Sequence, residues 1–367
     1  MNEKLKLGIL YGGRSGEHEV SLMSARSVLS VINRDKFDIT EIGITRQGQW
    51  FVGENLWTML KNENYENLSH VILHPTPENP AIYTIKDGKL HPYVTLDVVF
   101  PIMHGTYSED GTLQGLLELA DIAYVGAGVL GSSVCMDKGL FKAVMISNNI
   151  PTLPFTVFNR KEILENPEKC LKAAEAIAAY PLFTKPANLG SSVGISKCSG
   201  PNDLLEGLMQ AALFDRRIVV EKGVQNAREI EVSILGNENP SASIPGEVIP
   251  KDVFYTYSEK YINDTADLVI PAGLNEKRVR EIQALAIQAY KATDCAGLAR
   301  VDFLIDRKSD ALYLNEINTI PGFTKISMYP KLWEASGLSY TDLIEELINL
   351  ALARKNQRDD TEREFRF

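Results

Sequence analysis

Leu312-Tyr313-Leu314-Asn315-Glu316-Ile317-Asn318-Thr319-Ile320-Pro321-Gly322 reads as a buried strand that carries two polar side chains, Glu316 and Asn318. Residues two apart on a strand share a face, so these two point the same way. Just upstream runs Arg300-Val301-Asp302-Phe303-Leu304-Ile305-Asp306, then a polar turn at residues 307–310. The two runs are expected to pair as a hairpin. That would bring Asp302 to the face of Glu316 and Asn318, with Arg300 beside it. Carboxylates among apolar neighbours are costly unless something pairs with them. Two carboxylates and a carboxamide, with no His or Cys nearby, suit a hard divalent cation. Mg²⁺ shared with substrate phosphates is the expected occupant. The plainer alternative is a pair of solvated carboxylates on an edge hairpin. It fits poorly with Ile317, Ile320 and Phe323 around that face.

The chain has 367 residues, a hydrophobic content of 44% and a net charge of −10. That length suggests two or three domains sharing a large core. The acidic balance argues against nucleic acid as the main partner, because phosphate backbones call for basic surface. No apolar run approaches a membrane span, and residues 1–6 lead straight into a strand without a signal-peptide pattern. Cys135, Cys170, Cys198 and Cys295 are scattered, with no CxxC. They read as buried thiols in a reducing cytoplasm, neither a disulfide frame nor a zinc site.

Strands at 7–11, 39–44, 95–103 and 123–125 alternate with helical spacing at 20–32 and 113–120, which predicts an N-terminal parallel α/β layer. Residues 62–92 read as an irregular excursion with a small hairpin. A second unit holds helices at 137–148 and 170–179 and strands at 151–158, 182–185 and 218–221. A third holds a strand at 230–235, a loop at 251–266, a helix at 275–292, the Asp302/Glu316 hairpin and a closing helix at 340–353. Domains are therefore expected at 1–126, 127–222 and 223–353. The charged tail 354–367 is expected to be frayed or disordered.

Lys185-Pro186-Ala187-Asn188-Leu189-Gly190-Ser191-Ser192-Val193-Gly194 runs from a strand end into a loop. Its glycines let backbone N–H groups approach phosphate oxygens, and Ser191, Ser192 and Lys185 add donors. A plain hairpin is the alternative. Gly12-Gly13-Arg14-Ser15-Gly16-Glu17-His18-Glu19 also follows a strand and opens a helix. Glu17 and Glu19 would repel an anion there, so they either cap the helix or hold a cation such as an ammonium group.

These segments, with His104-Gly105, Glu109-Asp110-Gly111-Thr112-Leu113-Gln114-Gly115, Met136-Asp137-Lys138, Glu259-Lys260-Tyr261, Arg300-Val301-Asp302 and Asn315 through Thr324, together resemble the D-alanine–D-alanine ligase family of the ATP-grasp superfamily. The resemblance runs from about residue 5 to 353 in the family's order. It implies a three-domain ATP-grasp fold and a two-step reaction. One D-alanine carboxylate takes the γ-phosphoryl of ATP, and the amine of a second D-alanine then displaces phosphate.

The resemblance also implies roles. Asp302, Glu316 and Asn318 would hold two Mg²⁺ ions, with Mn²⁺ a possible substitute. Lys138, Lys185, Ser191 and Ser192 would meet the phosphates, and Lys260 the γ-phosphate. Glu221 would take the adenine amino group, Lys222 and Gly223 would add backbone contacts, and Glu229 would hold the ribose. Glu17 would bind the first ammonium, His104 its carboxylate, and Ser327 with the backbone at Met328 the second carboxylate. Arg300 and the Gly322 N–H would stabilise the tetrahedral oxyanion. Ser191 and Tyr261 would close a loop over the site through Glu17. ATP and D-alanine are the implied partners, a homodimer is the family's habit, and the expected location is the cytoplasm to which the scattered cysteines already point.

The two rival readings are a regulator with a dead site and a related ligase that joins D-alanine to D-lactate or D-serine. A nucleotide-binding regulator with a dead site would lack a metal ligand or phosphate lysine, and none is missing. A ligase for D-lactate would place a histidine near Tyr261, yet His18, His70, His74, His91 and His104 all lie elsewhere. A D-serine ligase would tend to replace Met328 with a polar residue.

Overall fold

The computed structural model of the chain describes residues 3–77, 80–249 and 267–362. Its first sheet has 8 strands. Leu5–Gly12, Phe37–Ile44, Val98–Ile102 and Ala123–Tyr124 pair in parallel, as their apolar runs predict. Leu7, Ile9 and Tyr11 face one core, where they meet Leu343 and Leu347. Leu10 and Ile42 face another, with Leu113 and Leu117 of the helix Thr112–Leu119. A strand buried on both faces needs an unbroken apolar run, and this one has it.

The stretch at 62–92 is more regular than its composition suggests. Ser69–Leu73, Ala81–Lys86 and Lys89–Thr95 extend the sheet antiparallel through Trp50–Val52. Lys89–Thr95 is almost wholly exposed, so its sequence carries no apolar alternation to read. The apolar run at 95–103 is not one strand either. It breaks at Asp97, whose carboxylate accepts the Lys6 N–H at 2.8 Å.

A second, 4-stranded antiparallel sheet holds Phe155–Asn159, Arg217–Lys222, Leu182–Pro186 and Ser196–Cys198. Behind it lies the helix Pro201–Phe214, which is not among the elements expected from the sequence. Pro201 in its first turn and Leu204, Leu208 and Ala211 at helical spacing explain it.

The third sheet is antiparallel and sets Arg228–Leu235 between Gly246–Ile249 and Leu298–Ile305, with Leu312–Asn318 outermost. The helix Glu276–Ala292 covers it, capped by Asn275, which accepts the Arg278 N–H.

The closing helix, Tyr340–Asp359, does not stop at 353. Three of the charges that suggested a solvated tail, on Arg354, Lys355 and Arg358, are paired with the first unit instead. Arg354 lies 4.2 Å from the Tyr124 ring centroid. Lys355 and Arg358 reach Asp121 at 3.2 and 3.0 Å. Among the described residues no helix is long and apolar enough to cross a membrane.

Candidate active site

The hairpin forms with Asp302 facing Glu316 and Arg300 facing Asn318, and a register shift between Asp302 and Phe303 skips Asn315 on the partner strand. Arg300 grips Asp302 with two bonds, Nε at 2.8 Å and a terminal nitrogen at 2.6 Å. Asn318 donates its amide to the same carboxylate at 2.9 Å. The neighbouring strand adds Glu231 opposite Asp302, with its carboxylate 2.9 Å from Arg300 Nε. The guanidinium thus sits between two carboxylates. Among the described residues no three His, Cys, Asp or Glu side chains converge as a metal cluster. The donor set is Asp302, Glu316 and the Asn318 amide, all hard oxygens once that amide turns. It fits a cation that takes its remaining ligands from phosphate and water, as Mg²⁺ does.

These residues line one wall of a cleft of about 750 Å³. Lys138, Lys185, Ser191, Ser192, Glu221, Lys222, Gly223 and Glu229 line another part of it. Lys138 opens the helix Lys138–Ser147, which Asp137 caps by accepting the Leu140 N–H at 2.9 Å. Its amine donates to the Leu189 carbonyl at 2.7 Å, at the start of the Gly-rich loop. Burial lowers the Lys138 pKa, with Glu316 only partly offsetting it. Lys185 forms an ion pair with Glu221. Burial opposes its charge, but Glu221 outweighs burial and the pKa rises.

Glu221 is only 3% exposed and also takes Lys142, at 2.9 Å. Burial alone would raise its pKa, yet the two lysines hold it down to about 2. Lys142 was not foreseen. Its one signal is its place four residues after Lys138, between the buried Phe141 and Met145. Lys222 and Gly223 already spend their N–H groups on the carbonyls of Pro154 and Pro181, at 2.9 and 2.8 Å. Any nucleotide contact there falls to their other atoms.

The third wall comes from the ends of the parallel strands. Glu17 stands at the N-cap of the helix His18–Leu29 but makes no capping bond with its side chain. It is 8% exposed and instead accepts a hydrogen bond from Ser191 across the cleft. Ser191 and Ser192 both hold positive φ, 53° and 60°. Glu19 turns outward to Arg46.

His104 follows the strand Val98–Ile102 and is 3% exposed. Its Nδ1 lies 2.9 Å from the Ile320 carbonyl and its Nε2 3.0 Å from Ser24 Oγ. Burial lowers its pKa, with Glu17 opposing. Nδ1, facing a carbonyl, donates to it, and both nitrogens are engaged. Glu109, which sequence reasoning left in its motif without a role, also lines the cleft. Burial, and then Glu17, push its carboxyl up to about 8. Glu231 was likewise missed, although it shares a strand face with the expected ribose ligand Glu229.

Gly322 lines the cleft; Ser327 and Met328 are not among its lining residues. Ser327 precedes the helix Met328–Ala335 and bonds Thr324, while Met328 packs with Val248 and Leu332. Lys260 and Tyr261 lie outside the described residues.

Known proteins match this arrangement along the whole chain. The family described as D-ala D-ala ligase N-terminus matches residues 6–127, and D-ala D-ala ligase C-terminus matches 144–349. A D-alanine–D-alanine ligase of Thermoanaerobacter sp. (strain X514) is 49% identical over 97% of this chain and 99% of its own length. That of Natranaerobius thermophilus is 44% identical over 99% of each. The solved D-alanine-D-alanine ligase from Coxiella burnetii superposes with a TM-score of 0.82 at 34% identity, covering 97% of this chain and 96% of that one. The VanG D-Ala:D-Ser ligase from Enterococcus faecalis does so at 0.83 and 34%, covering 95% and 100%. With both family models and relatives 44–49% identical spanning nearly all of its length, the chain belongs to the D-alanine–D-alanine ligase family.

Proposed function

We propose that this protein uses ATP to join two D-alanines into D-alanyl-D-alanine, a peptidoglycan precursor, by way of an acyl phosphate. One observation carries this: the oxygen donors of the hairpin, the lysines Lys138 and Lys185, and Glu17 all face a single cleft. A divalent cation, a triphosphate and an ammonium group would need those three chemistries side by side. The 44–49% identical relatives bear the D-alanine ligase name, which favours D-alanine over D-serine as second substrate.

Glu17 receives the ammonium of the first D-alanine and fixes its carboxylate toward the γ-phosphate. Lys138 and Lys185 hold the phosphates with charge kept in place by Glu316 and Glu221. Asp302, Glu316 and Asn318 hold Mg²⁺, which when bound neutralises charge on the phosphoryl oxygens. Because Glu231 also grips Arg300, the guanidinium keeps its position when Asp302 turns to another cation. Arg300 and the Gly322 N–H then meet the oxyanion formed as the second amine attacks. Ser191, bonded to Glu17, shields the acyl phosphate from water. Lys260 and Tyr261 retain their expected parts at the γ-phosphate and in the lid. A cytoplasmic homodimer is the form in which we expect the enzyme to act.

The test is ADP release with ATP and Mg²⁺, comparing D-alanine, L-alanine, D-serine, D-lactate and no addition. ADP should appear with D-alanine alone, matched one to one by dipeptide. ADP release that ignores D-alanine, or yields no dipeptide, would overturn the assignment.

A further inference from the structure

The strand Leu312–Asn318 runs on into Ile320-Pro321-Gly322-Phe323, which leaves its own sheet and lies against the first unit. The Ile320 N–H donates to Glu109 Oε1 at 3.2 Å. The Ile320 carbonyl lies 2.9 Å from His104 Nδ1. Glu109 Oε2 meanwhile accepts the Gly105 N–H at 2.6 Å. One carboxylate therefore joins the His104 turn to the loop. Beyond Gly322, the Phe323 N–H donates to Ser24 Oγ at 3.3 Å, and its carbonyl accepts from Tyr340 Oη at 2.5 Å. The Phe323 ring, 1% exposed, packs among Phe100, Tyr329 and Tyr340. Both residues that bracket Pro321-Gly322 are thus held through N–H and C=O alike, mostly by side chains of the unit that carries Glu17.

We infer that Glu109 is a positioning residue for the ligation, setting the Gly322 N–H against the wall that holds the first amino acid. The inference rests on the function proposed above. A neutral side chain would tie down a loop at lower cost than a carboxylate placed beside Glu17. What the site needs is two oxygens in one plane that each accept an N–H, and a carboxyl offers that in either protonation state, because its hydroxyl oxygen keeps an acceptor lone pair. Glutamine presents one acceptor and one donor, so one of the two N–H groups would face an opposing N–H. An ammonium group arriving at Glu17 offsets the negative charge that opposes ionisation of Glu109 and so strengthens Glu109 as an acceptor. Substrate binding and oxyanion-loop placement are coupled in this way.

The test compares wild-type enzyme with Glu109→Gln and Ser24→Ala. Steady-state kinetics are read together with binding of two inhibitors: a phosphinate isostere of the dipeptide and the planar product D-alanyl-D-alanine. The tetrahedral phosphinate puts an oxygen where the oxyanion forms; the product does not. Misplacing a donor by about an ångström costs on the order of 100-fold, so kcat of Glu109→Gln should fall about 10- to 100-fold. Phosphinate affinity should fall by a similar factor. KM for ATP and product affinity should stay within about threefold, below the scale of one lost hydrogen bond to a charged group. Ser24→Ala should shift the same two quantities by less.

Wild-type kcat and phosphinate affinity in Glu109→Gln would overturn the inference. So would equal losses for both inhibitors with a raised KM for ATP, the signature of general unfolding. If Glu109→Gln does not fold, Ser24→Ala decides by the same split. A wild-type enzyme without D-alanine-dependent ADP release would instead overturn the function proposed above.

Discussion

At single residues, the decisive physics is how charge is kept inside the cleft. Glu316 is an anionic donor whose neutral isostere keeps its shape. Glu316→Gln should lower turnover by on the order of 100-fold or more while the melting curve survives. Near-normal turnover at saturating Mg²⁺ would contradict the metal assignment. Lys142 is 1% exposed and holds Glu221 at 2.9 Å. Removing one partner of a buried pair leaves charge uncompensated, so Lys142→Met should cost about 3 kcal/mol in urea unfolding. A cost below about 1 kcal/mol, the range of exposed pairs, would mean that Lys185 alone suffices.

Two carboxyls also give pH signatures of opposite sign. Glu221 is held at about 2 against a usual 4.5, so its contribution is complete above pH 4.5 and drains away as pH falls toward 2. Glu109 is pushed up to about 8 from 4.5, so its contribution is complete below pH 4.5 and is lost as pH rises through 8. Thermal melts of the ligand-free protein from pH 3 to 9 should show the alkaline loss shrink in Glu109→Gln and the acid loss persist. An alkaline limb unchanged by that substitution would contradict the assignment.

At the level of elements, the turn after the first strand is as constrained as any side chain. Gly12 has φ +89°, and a Cβ there would lie 2.2 Å from the Ile44 carbonyl oxygen. Gly12→Ala should therefore destabilise by about 2 kcal/mol or more, seen as a lower midpoint and less soluble protein. A neutral effect would show that the turn can shift. The hairpin was legible in the sequence because two apolar runs interrupted by oxygen-bearing residues flank a polar turn, although the register shift that skips Asn315 left no mark there. Glu17 could be singled out but not assigned, because capping a helix and reaching across a cleft leave the same trace in one dimension. The bond to Ser191, far along the chain, separates them. Glu109 and Glu231 were illegible for the same reason: their partners, Ile320 and Arg300, are distant in sequence. The helix Pro201–Phe214 was legible and overlooked, whereas the exposed strand Lys89–Thr95 has no apolar rhythm to find.

Over the whole molecule, the C-terminal helix fastens the last unit to the first. Leu343 and Leu347 share a core with Leu7 and Ile9, and the charged turn beyond 353 clasps Tyr124 and Asp121. Ending the chain after residue 353 should cost roughly 1–2 kcal/mol, the sum of a cation–π contact and partly exposed ion pairs, with activity retained at low temperature. Unchanged stability would show that the clasp contributes nothing. The molecule-wide claim is that these joined units pass a phosphoryl group to an amino-acid carboxylate before the peptide bond forms. D-Alanine labelled with ¹⁸O in its carboxylate tests this directly. If the carboxylate attacks the γ-phosphate and the second amine then expels phosphate, each dipeptide formed leaves one ¹⁸O in the released inorganic phosphate. Label retained wholly in amino acid and dipeptide, or appearing in AMP, would contradict the acyl-phosphate route.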